Sequence, residues 1–253
     1  MTWDPDAYLT YADERTRPAA ELIQRIPCAA PTRVVDLGCG PGNSTALAAA
    51  RWPRAEIEAI DSSGEMIATA NAAKIPARFF VADIATWSPQ VRYDVVLSNA
   101  TLQWLDDHHT LLPRLAGFVA DRGSFAFQVP RNFDAPSHAL MRDVAARGPW
   151  AGKLRNVRGI HVHAPQEYYE ILRPYAKSLD IWESEYLHVL DGTDAVYRWV
   201  GATGLRPYAQ ALEGEDRESF LAAYKARLRE AYPERSDGVT LFPFKRLFVI
   251  ARR

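Results

Sequence analysis

Three glycines lie at alternate positions directly after a short apolar run, in the stretch VVDLGCGPGN of Val34–Asn43. Glycine inside an ordinary element costs about 0.5–1 kcal/mol relative to alanine, so this density predicts that a ligand approaches the backbone closely. A dinucleotide-binding loop of the Gly-x-Gly-x-x-Gly type would have glycine where Asn43 stands. The acid Asp36 precedes the glycines and favours a ligand with a cationic centre over a diphosphate. The glycines are Gly38, Gly40 and Gly42.

Chemically useful side chains also follow the next three predicted strands. Asp61 ends the second strand, and its carboxylate can accept both hydroxyls of a ribose. Asp83 and Ile84 end the third strand and offer an acid for an adenine amino group and an aliphatic wall for its ring. Asn99 ends the fourth strand, where its carbonyl could hold an ammonium group. A glycine triplet taken alone is often only a tight turn, and a single acid at a strand end is often only a solvated cap. Such features on four successive strand ends together predict a ligand-binding site at the carboxyl edge of the sheet.

The first half of the sequence predicts the elements that position these side chains. Strands are expected at 33–37, 55–61, 77–84, 93–100 and 123–130, and helices at 18–26, 43–52, 64–73 and 108–120. Pro18 suits a first helical position, and Asn43 or Ser44 suits an N-cap. The alternation predicts an α/β fold, with a parallel sheet covered by helices on both faces.

The alternation ends near Asn132. The stretch of about 132–180 holds helical pieces, prolines and aromatic residues, and we expect it to form a cap over the carboxyl edge of the sheet. A strand is predicted at 179–190, two helices at about 193–211 and 215–231, and a last strand at 244–252, so that the two strands pair antiparallel at the sheet edge. The predicted organisation is a single domain over residues 1–253, with the cap and a helical excursion at 191–240 inside it.

The composition is that of a globular protein without a strong charge bias. The chain has 30 Lys and Arg against 31 Asp and Glu, for a net charge of −1. We therefore expect no nucleic-acid partner, no membrane partner and no obligate protein partner. Cys28 and Cys39 have no metal-binding spacing, and the N-terminal segment lacks the apolar core of a signal peptide. These features favour two reduced thiols in a cytoplasmic protein.

The motifs VVDLGCGPGN, AIDSS, VADI and SNATLQWL resemble those of the class I S-adenosylmethionine-dependent methyltransferases, over about residues 30–130. The resemblance implies a Rossmann-like, doubly wound, seven-stranded sheet with the last strand antiparallel and a helical cap. It also implies S-adenosyl-L-methionine as cofactor, with the glycines close to its methionyl part. The residues expected to bind it are Asp36, Gly38, Gly40, Gly42, Asn43, Asp61, Ser62, Met66, Asp83, Ile84 and Asn99.

Segments outside that core resemble the trans-aconitate 2-methyltransferase family, among them WDPDAYL, DIWESEYLHVL, WVGATGLRPY and PFKRLFVIARR; the weakest stretch is about 142–165. This resemblance implies transfer of a methyl group to a carboxylate of trans-aconitate, a small tricarboxylic acid, to give a monomethyl ester. A carboxylate is ionised at pH 7 and is already a nucleophile, and the sulfonium supplies the leaving group. We therefore predict no general acid, no general base and no metal, and catalysis by alignment of the reacting atoms.

A tricarboxylate needs cationic partners, and arginine is the favoured one because its planar fork meets a carboxylate at two points. The predicted candidates are Arg15 beside Tyr11 and Arg206, followed by Arg131 and Arg158. For each arginine taken alone, an exposed surface position is the main alternative. Arg15 and Arg206 stand above the others because they lie in the family-like segments.

Other candidate substrate-binding residues are aromatic or histidine side chains. Trp104 and Gln103 follow the fourth strand and are predicted to position the reacting groups; a core position for Trp104 is the alternative. Tyr186 and His188 alternate along a strand and share one face, so both bind the substrate or both only pack.

His161 and His163 alternate in the same way, but no third ligand is placed with them, so no metal site is predicted.

Three other functions remain open from the residues alone. The first is a methyltransferase that acts on a carrier-bound malonyl thioester, with GKLRNVRG as the source of a basic patch. The second is a nicotinamide-dependent oxidoreductase, which Asn43 disfavours. The third is a protein that binds the cofactor without turnover.

Overall fold

The computed structural model describes residues 12–157, 160 and 162–253, and for 12–15 it describes the backbone alone. Tyr11, Arg158 and His161 therefore lie outside the described residues, and so does the side chain of Arg15.

The described chain alternates strands and helices before a longer helical part. The helices are α1 (Ala12–Arg25), α2 (Asn43–Arg51), α3 (Gly64–Ala72), α4 (His108–Ala116), α5 (Pro136–Arg147), α6 (Ala151–Leu154), α7 (Pro165–Leu172), α8 (Ala195–Gly201), α9 (Arg206–Gln210) and α10 (Gly214–Ala231). The strands are β1 (Arg33–Leu37), β2 (Glu56–Asp61), β3 (Arg78–Val81), β4 (Tyr93–Asn99), β5 (Val119–Pro130), β6 (Ser178–Asp191) and β7 (Val239–Arg252). Short 3-10 helices lie at Leu102–Trp104 and Arg173–Tyr175.

The seven strands form one sheet in the order β3-β2-β1-β4-β5-β7-β6. Neighbouring strands from β3 to β5 are parallel, and β7 pairs antiparallel with β5, with Phe127 opposite Val249. The chain reverses its strand order between β1 and β4, which makes this the switch point where open α/β sheets bind their ligands. The predicted seven-stranded sheet with an antiparallel last strand is confirmed.

The central strands are short and apolar because helices cover them on both faces. Val34, Val35 and Leu37 of β1 are fully buried, and so are Val95 and Val96 of β4. In β6, by contrast, buried and exposed residues alternate from Tyr186 onward, as expected for a strand with one covered face.

Four sequence expectations about local structure are wrong. Pro18 lies inside α1, which begins six residues earlier, and not at its first position. The N-cap of α2 is Gly42, at φ 98°, and neither Asn43 nor Ser44; the hydroxyl of Ser44 donates to the buried carboxylate of Asp36. Strand β5 begins at Val119 and not at Gly123, and the helix expected at 193–211 divides into α8 and α9.

Within the described residues the chain forms two compact units. The first unit comprises 12–130, 162–184 and 246–253, and the second comprises 131–157, 160 and 185–245. The first unit holds a large apolar core on the sheet, including Leu37, Ile60 and Phe127. The second unit is built largely of α5, α6 and α8–α10 with parts of β6 and β7. The expected single domain with a cap at 132–180 stays a prediction.

Cys28 and Cys39 are both free, as expected. Among the described helices, none combines the length and the apolar character that crossing a bilayer requires.

Candidate active site

The three glycines after β1 all have positive φ but have different surroundings. A Cβ at Gly38 would lie 2.1 Å from the side chain of Thr101, and a Cβ at Gly42 would lie 2.6 Å from Ile75. A Cβ at Gly40, where φ is 55°, would meet nothing within 4 Å among the described atoms. Gly38 is therefore required by packing against Thr101 and Gly42 by its φ of 98°, whereas Gly40 leaves open space that a ligand can approach.

Asp61, at the end of β2, connects two backbone segments. Its Oδ2 accepts the N–H of Gly40 at 2.9 Å, and its Oδ1 accepts the N–H of Ser63 at 2.9 Å. Each carboxylate oxygen has a second lone pair, so this half-buried group retains acceptor capacity for ribose hydroxyls. Asp61 thus fixes the glycine loop beside the predicted ribose position.

Asp36 lies beneath the glycine loop and is fully buried. Its Oδ2 accepts the hydroxyls of Ser44 at 2.6 Å and Thr45 at 2.7 Å, which ties β1 to the first turn of α2. Burial raises the pKa of Asp36 to about 6, against the lowering effect of these two hydrogen bonds, and the charge of Asp61 raises it further. Asp36 therefore positions the loop and places a titratable charge below it.

The end of β4 forms a tight turn with polar side chains. Ala100 has φ 53°, an unfavourable value for alanine, and its carbonyl accepts Nε2 of Gln103 at 2.6 Å. The hydroxyl of Thr101 donates to the carbonyls of Gly38 at 2.9 Å and Asn99 at 3.1 Å. Among the described atoms, the buried Oδ1 of Asn99 and Oε1 of Gln103 have no hydrogen-bond partner. This turn joins the glycine loop to β4 and leaves two acceptors for a ligand.

The segment after β3 is held by backbone contacts. The carboxylate of the exposed Asp83 accepts the N–H of Ala85 at 2.8 Å, and Ile84 belongs to the apolar core. The guanidinium of Arg114, on α4, donates to the carbonyls of Ile84 and of Trp87. The predicted adenine contacts are thus held in place from a helix that the sequence analysis did not connect with them.

The remaining predicted cofactor residues lie on the same loops. Asn43 is the half-buried first residue of α2, Ser62 is exposed after β2, and Met66 is buried in α3. The N–H of Met66 donates to the hydroxyl of Ser63, which caps α3. The fit to a nucleoside ligand rests on the open space at Gly40, the two-oxygen acceptor of Asp61 and the orphan acceptor of Asn99.

Sequence reasoning missed three polar residues of this region. Thr101 fixes Gly38, Gln128 of β5 is fully buried opposite Asn99, and Arg246 of β7 is 4% exposed with Nη1 3.4 Å from Oε1 of Gln128. The sequence does mark Gln128 and Arg246 as unusual, because each is a polar residue within an otherwise largely apolar strand.

The predicted positioning pair has unequal burial. Gln103 is buried and Trp104 is half-buried, both in the 3-10 helix that follows β4.

The second unit holds the predicted substrate residues of β6. Tyr186 and His188 share the buried face of the strand, at 4% and 6% exposure. The His188 ring stacks on Trp199 with the centroids 4.6 Å apart and lies near Phe242 and Phe244. This observation favours the packing alternative for His188, and substrate binding by either residue stays a prediction.

The predicted arginines of the second unit are half-buried. Arg206 is the first residue of α9, and Arg131 directly follows β5. Each takes part in an interaction within the protein, so substrate binding would compete with it or extend it.

The sequence matches the methyltransferase-domain family over residues 11–175, more than half of the chain. The chain belongs to the methyltransferase family. The methyltransferase is 47% identical to a protein of an Azoarcus species named trans-aconitate 2-methyltransferase, with 100% of this chain and 99% of that protein covered. A Methylobacterium radiotolerans protein of the same name is 48% identical, with 99% and 98% covered.

Solved structures with low sequence identity share the fold of the methyltransferase. The YcgJ protein of Bacillus subtilis gives a TM-score of 0.62 at 14% identity and covers 94% of this chain and 98% of its own. A Haemonchus contortus phosphoethanolamine N-methyltransferase, solved with S-adenosyl-L-methionine, gives 0.59 at 14% identity and covers 98% and 56%. The Rossmann-like architecture expected from the strand-end motifs is confirmed.

Proposed function

We propose that this methyltransferase transfers a methyl group from S-adenosyl-L-methionine to a carboxylate of trans-aconitate and forms a monomethyl ester. The observation that carries the proposal is the full-length identity of 45–48% to proteins named trans-aconitate 2-methyltransferase. The substrate is accordingly a small tricarboxylic acid.

The strand-end site supports the cofactor part of the proposal. The open backbone at Gly40 suits the methionyl part, Asp61 suits the ribose hydroxyls, and Asn99 Oδ1 suits a donor such as the ammonium group. Asp83 and Ile84 are assigned to the adenine. When bound, the cofactor supplies an electrophilic methyl group on a sulfonium sulfur.

The remaining chemistry requires alignment more than proton transfer. A carboxylate with a pKa near 4 is ionised at neutral pH, so the protein need not remove a proton from the nucleophile. Holding the reacting atoms in line can supply about 7–11 kcal/mol of the barrier reduction. We assign this positioning to Gln103 and Trp104, which follow the turn at Ala100.

Binding of a tricarboxylate requires cationic groups, because an unpaired buried carboxylate costs several kcal/mol. We assign Arg206 to this role, with Arg131 as the next candidate. We also assign Tyr11 and Arg15 to substrate binding, because they lie in a segment that resembles the family. Tyr186 and His188 are assigned as hydrogen-bond donors to the substrate carboxylates.

The test is a transfer assay with methyl-labelled S-adenosyl-L-methionine and a panel of acceptors. The panel contains trans-aconitate, cis-aconitate, citrate, isocitrate and a carrier-bound malonyl thioester, and label that mild alkali releases as methanol identifies an ester. We expect the highest kcat/KM with trans-aconitate. Transfer to the malonyl thioester alone would replace this proposal with the carrier-bound alternative, and absence of transfer to every acid would reject it.

A further inference from the structure

Three potential metal ligands converge on the surface of the first unit, away from the glycine loop in sequence. Nε2 of His109 lies 3.0 Å from Oε1 of Glu167, and Nδ1 of His163 lies 2.8 Å from the same oxygen. One ligand atom from each of the three residues falls within 4.8 Å of the other two. Two imidazole nitrogens and one carboxylate form a ligand set that zinc uses in three-ligand sites with an open fourth position.

The three residues are held by packed elements. His109 lies in the first turn of α4, Glu167 lies in the first turn of α7, and these two helices contact each other. The ring of His163 packs edge-on against His109, with centroids 5.3 Å apart, and against Tyr168, with centroids 5.5 Å apart. These contacts bring the two imidazoles together before any ion binds, which lowers the ordering cost of binding.

The distances require a small adjustment. With metal–ligand bonds of about 2.0–2.2 Å in tetrahedral geometry, neighbouring ligand atoms lie about 3.3 Å apart. The contacts of 3.0 and 2.8 Å to Oε1 must open slightly, and the side-chain exposures of 62% for His109 and 36% for Glu167 leave both free to do so.

Both imidazole nitrogens that face Glu167 can serve as ligand atoms. An imidazole binds a metal ion through the lone pair of one ring nitrogen, and its proton is then carried by the other ring nitrogen.

We propose that His109, His163 and Glu167 form a binding site for a divalent transition-metal ion, with Zn²⁺ as the best match. The site is separate from methyl transfer and does not depend on the proposed function. The site lies close in sequence to the segment that contains Gln103 and Trp104. The adjacent His108 is buried, and its Nε2 forms a hydrogen bond with the carbonyl of Leu102 at 2.8 Å.

The test is a titration of the full chain, without an affinity tag, with Co²⁺ and then with Zn²⁺. We expect one equivalent of Co²⁺ to give the visible absorption of a tetrahedral site and Zn²⁺ to displace it, with heat measured by calorimetry. His109→Ala and Glu167→Gln should each weaken Zn²⁺ binding at least tenfold. The matched control Glu170→Gln, an exposed acid one turn further along α7, should leave it unchanged.

Melting temperatures of the variants show that each remains folded. The proposal is overturned if the wild-type chain binds neither ion, or if His109→Ala and Glu167→Gln bind Zn²⁺ as tightly as the wild-type chain does.

Discussion

The carboxyl edge of β1, β2 and β4 and the aromatic face of β6 were both predicted to bind ligands, and they are built differently. At the carboxyl edge, polar side chains bond to the backbone of neighbouring loops, as Asp61 does with Gly40 and Ser63. On the β6 face, Tyr186 and His188 are packed among aromatic rings. The polar residues of the carboxyl edge thus fix loop backbone, whereas Tyr186 and His188 make packing contacts, and the structure supports the ligand-binding prediction mainly at the carboxyl edge.

The largest effect is expected at the glycines of the loop. Gly38→Ala should lower the free energy of unfolding by about 4 kcal/mol, because the new Cβ combines left-handed strain with overlap on Thr101. Gly40→Ala should cost only about 1 kcal/mol, since its Cβ meets open space, yet it should weaken S-adenosyl-L-methionine binding. Urea denaturation and calorimetry measure the two quantities. Equal stability losses for the two variants would contradict the assigned roles.

The next effect concerns the pH dependence of stability. The pKa of Asp36 is about 6 in the folded protein and about 3.8 when unfolded, so between these values the folded chain holds more protons. The free energy of unfolding should therefore fall as the pH rises from 4 to 6, by at most about 3 kcal/mol from this group. Asp36→Asn should remove that fall. Parallel pH profiles of urea denaturation for variant and wild type would contradict the burial account.

Asp61→Ala should weaken S-adenosyl-L-methionine binding about 100-fold, because it removes a charged acceptor from the ribose position and releases the N–H of Gly40. Calorimetry measures the affinity, and circular dichroism confirms that the variant is folded. The control is Asp121→Ala, whose side chain is 96% exposed and should leave the affinity unchanged. An unchanged affinity in Asp61→Ala would remove this residue from the site.

The smallest effect is expected in the second unit. Arg206→Ala should raise KM for trans-aconitate about tenfold, and should raise KM for a monocarboxylic acid less. The reason is that the lost guanidinium is proposed to pair with a substrate carboxylate. Steady-state kinetics with both acids provide the measurement. Equal changes in KM for the two acids would mean that Arg206 does not bind a substrate carboxylate.

The sheet could be predicted because its strands are short apolar runs with turn residues between them. The positions of Asp61 and Asn99 could be predicted because each lies at a strand end, where a polar side chain after an apolar run is conspicuous. Their binding of the cofactor stays a prediction. The N-cap of α2 could not be predicted, because the hydroxyl of Ser44 bonds to Asp36, a tertiary partner that sequence spacing does not reveal.

The missed features depend on contacts between distant parts of the chain. Gln128 and Arg246 meet across two antiparallel strands, 118 positions apart in sequence. Likewise, the ring of His163 packs against that of His109, which comes from a helix 54 residues earlier in the chain. Tertiary packing forms both pairs, and the spacing of the residues in the sequence does not reveal which of them meet.

Amide hydrogen exchange with and without S-adenosyl-L-methionine tests most directly whether the strand ends form the cofactor site. The account predicts slower exchange on addition of the cofactor in residues 38–45, 61–64 and 99–103, and unchanged exchange in α10. Cofactor binding that leaves these three segments unprotected, or that protects only other parts of the chain, would contradict it.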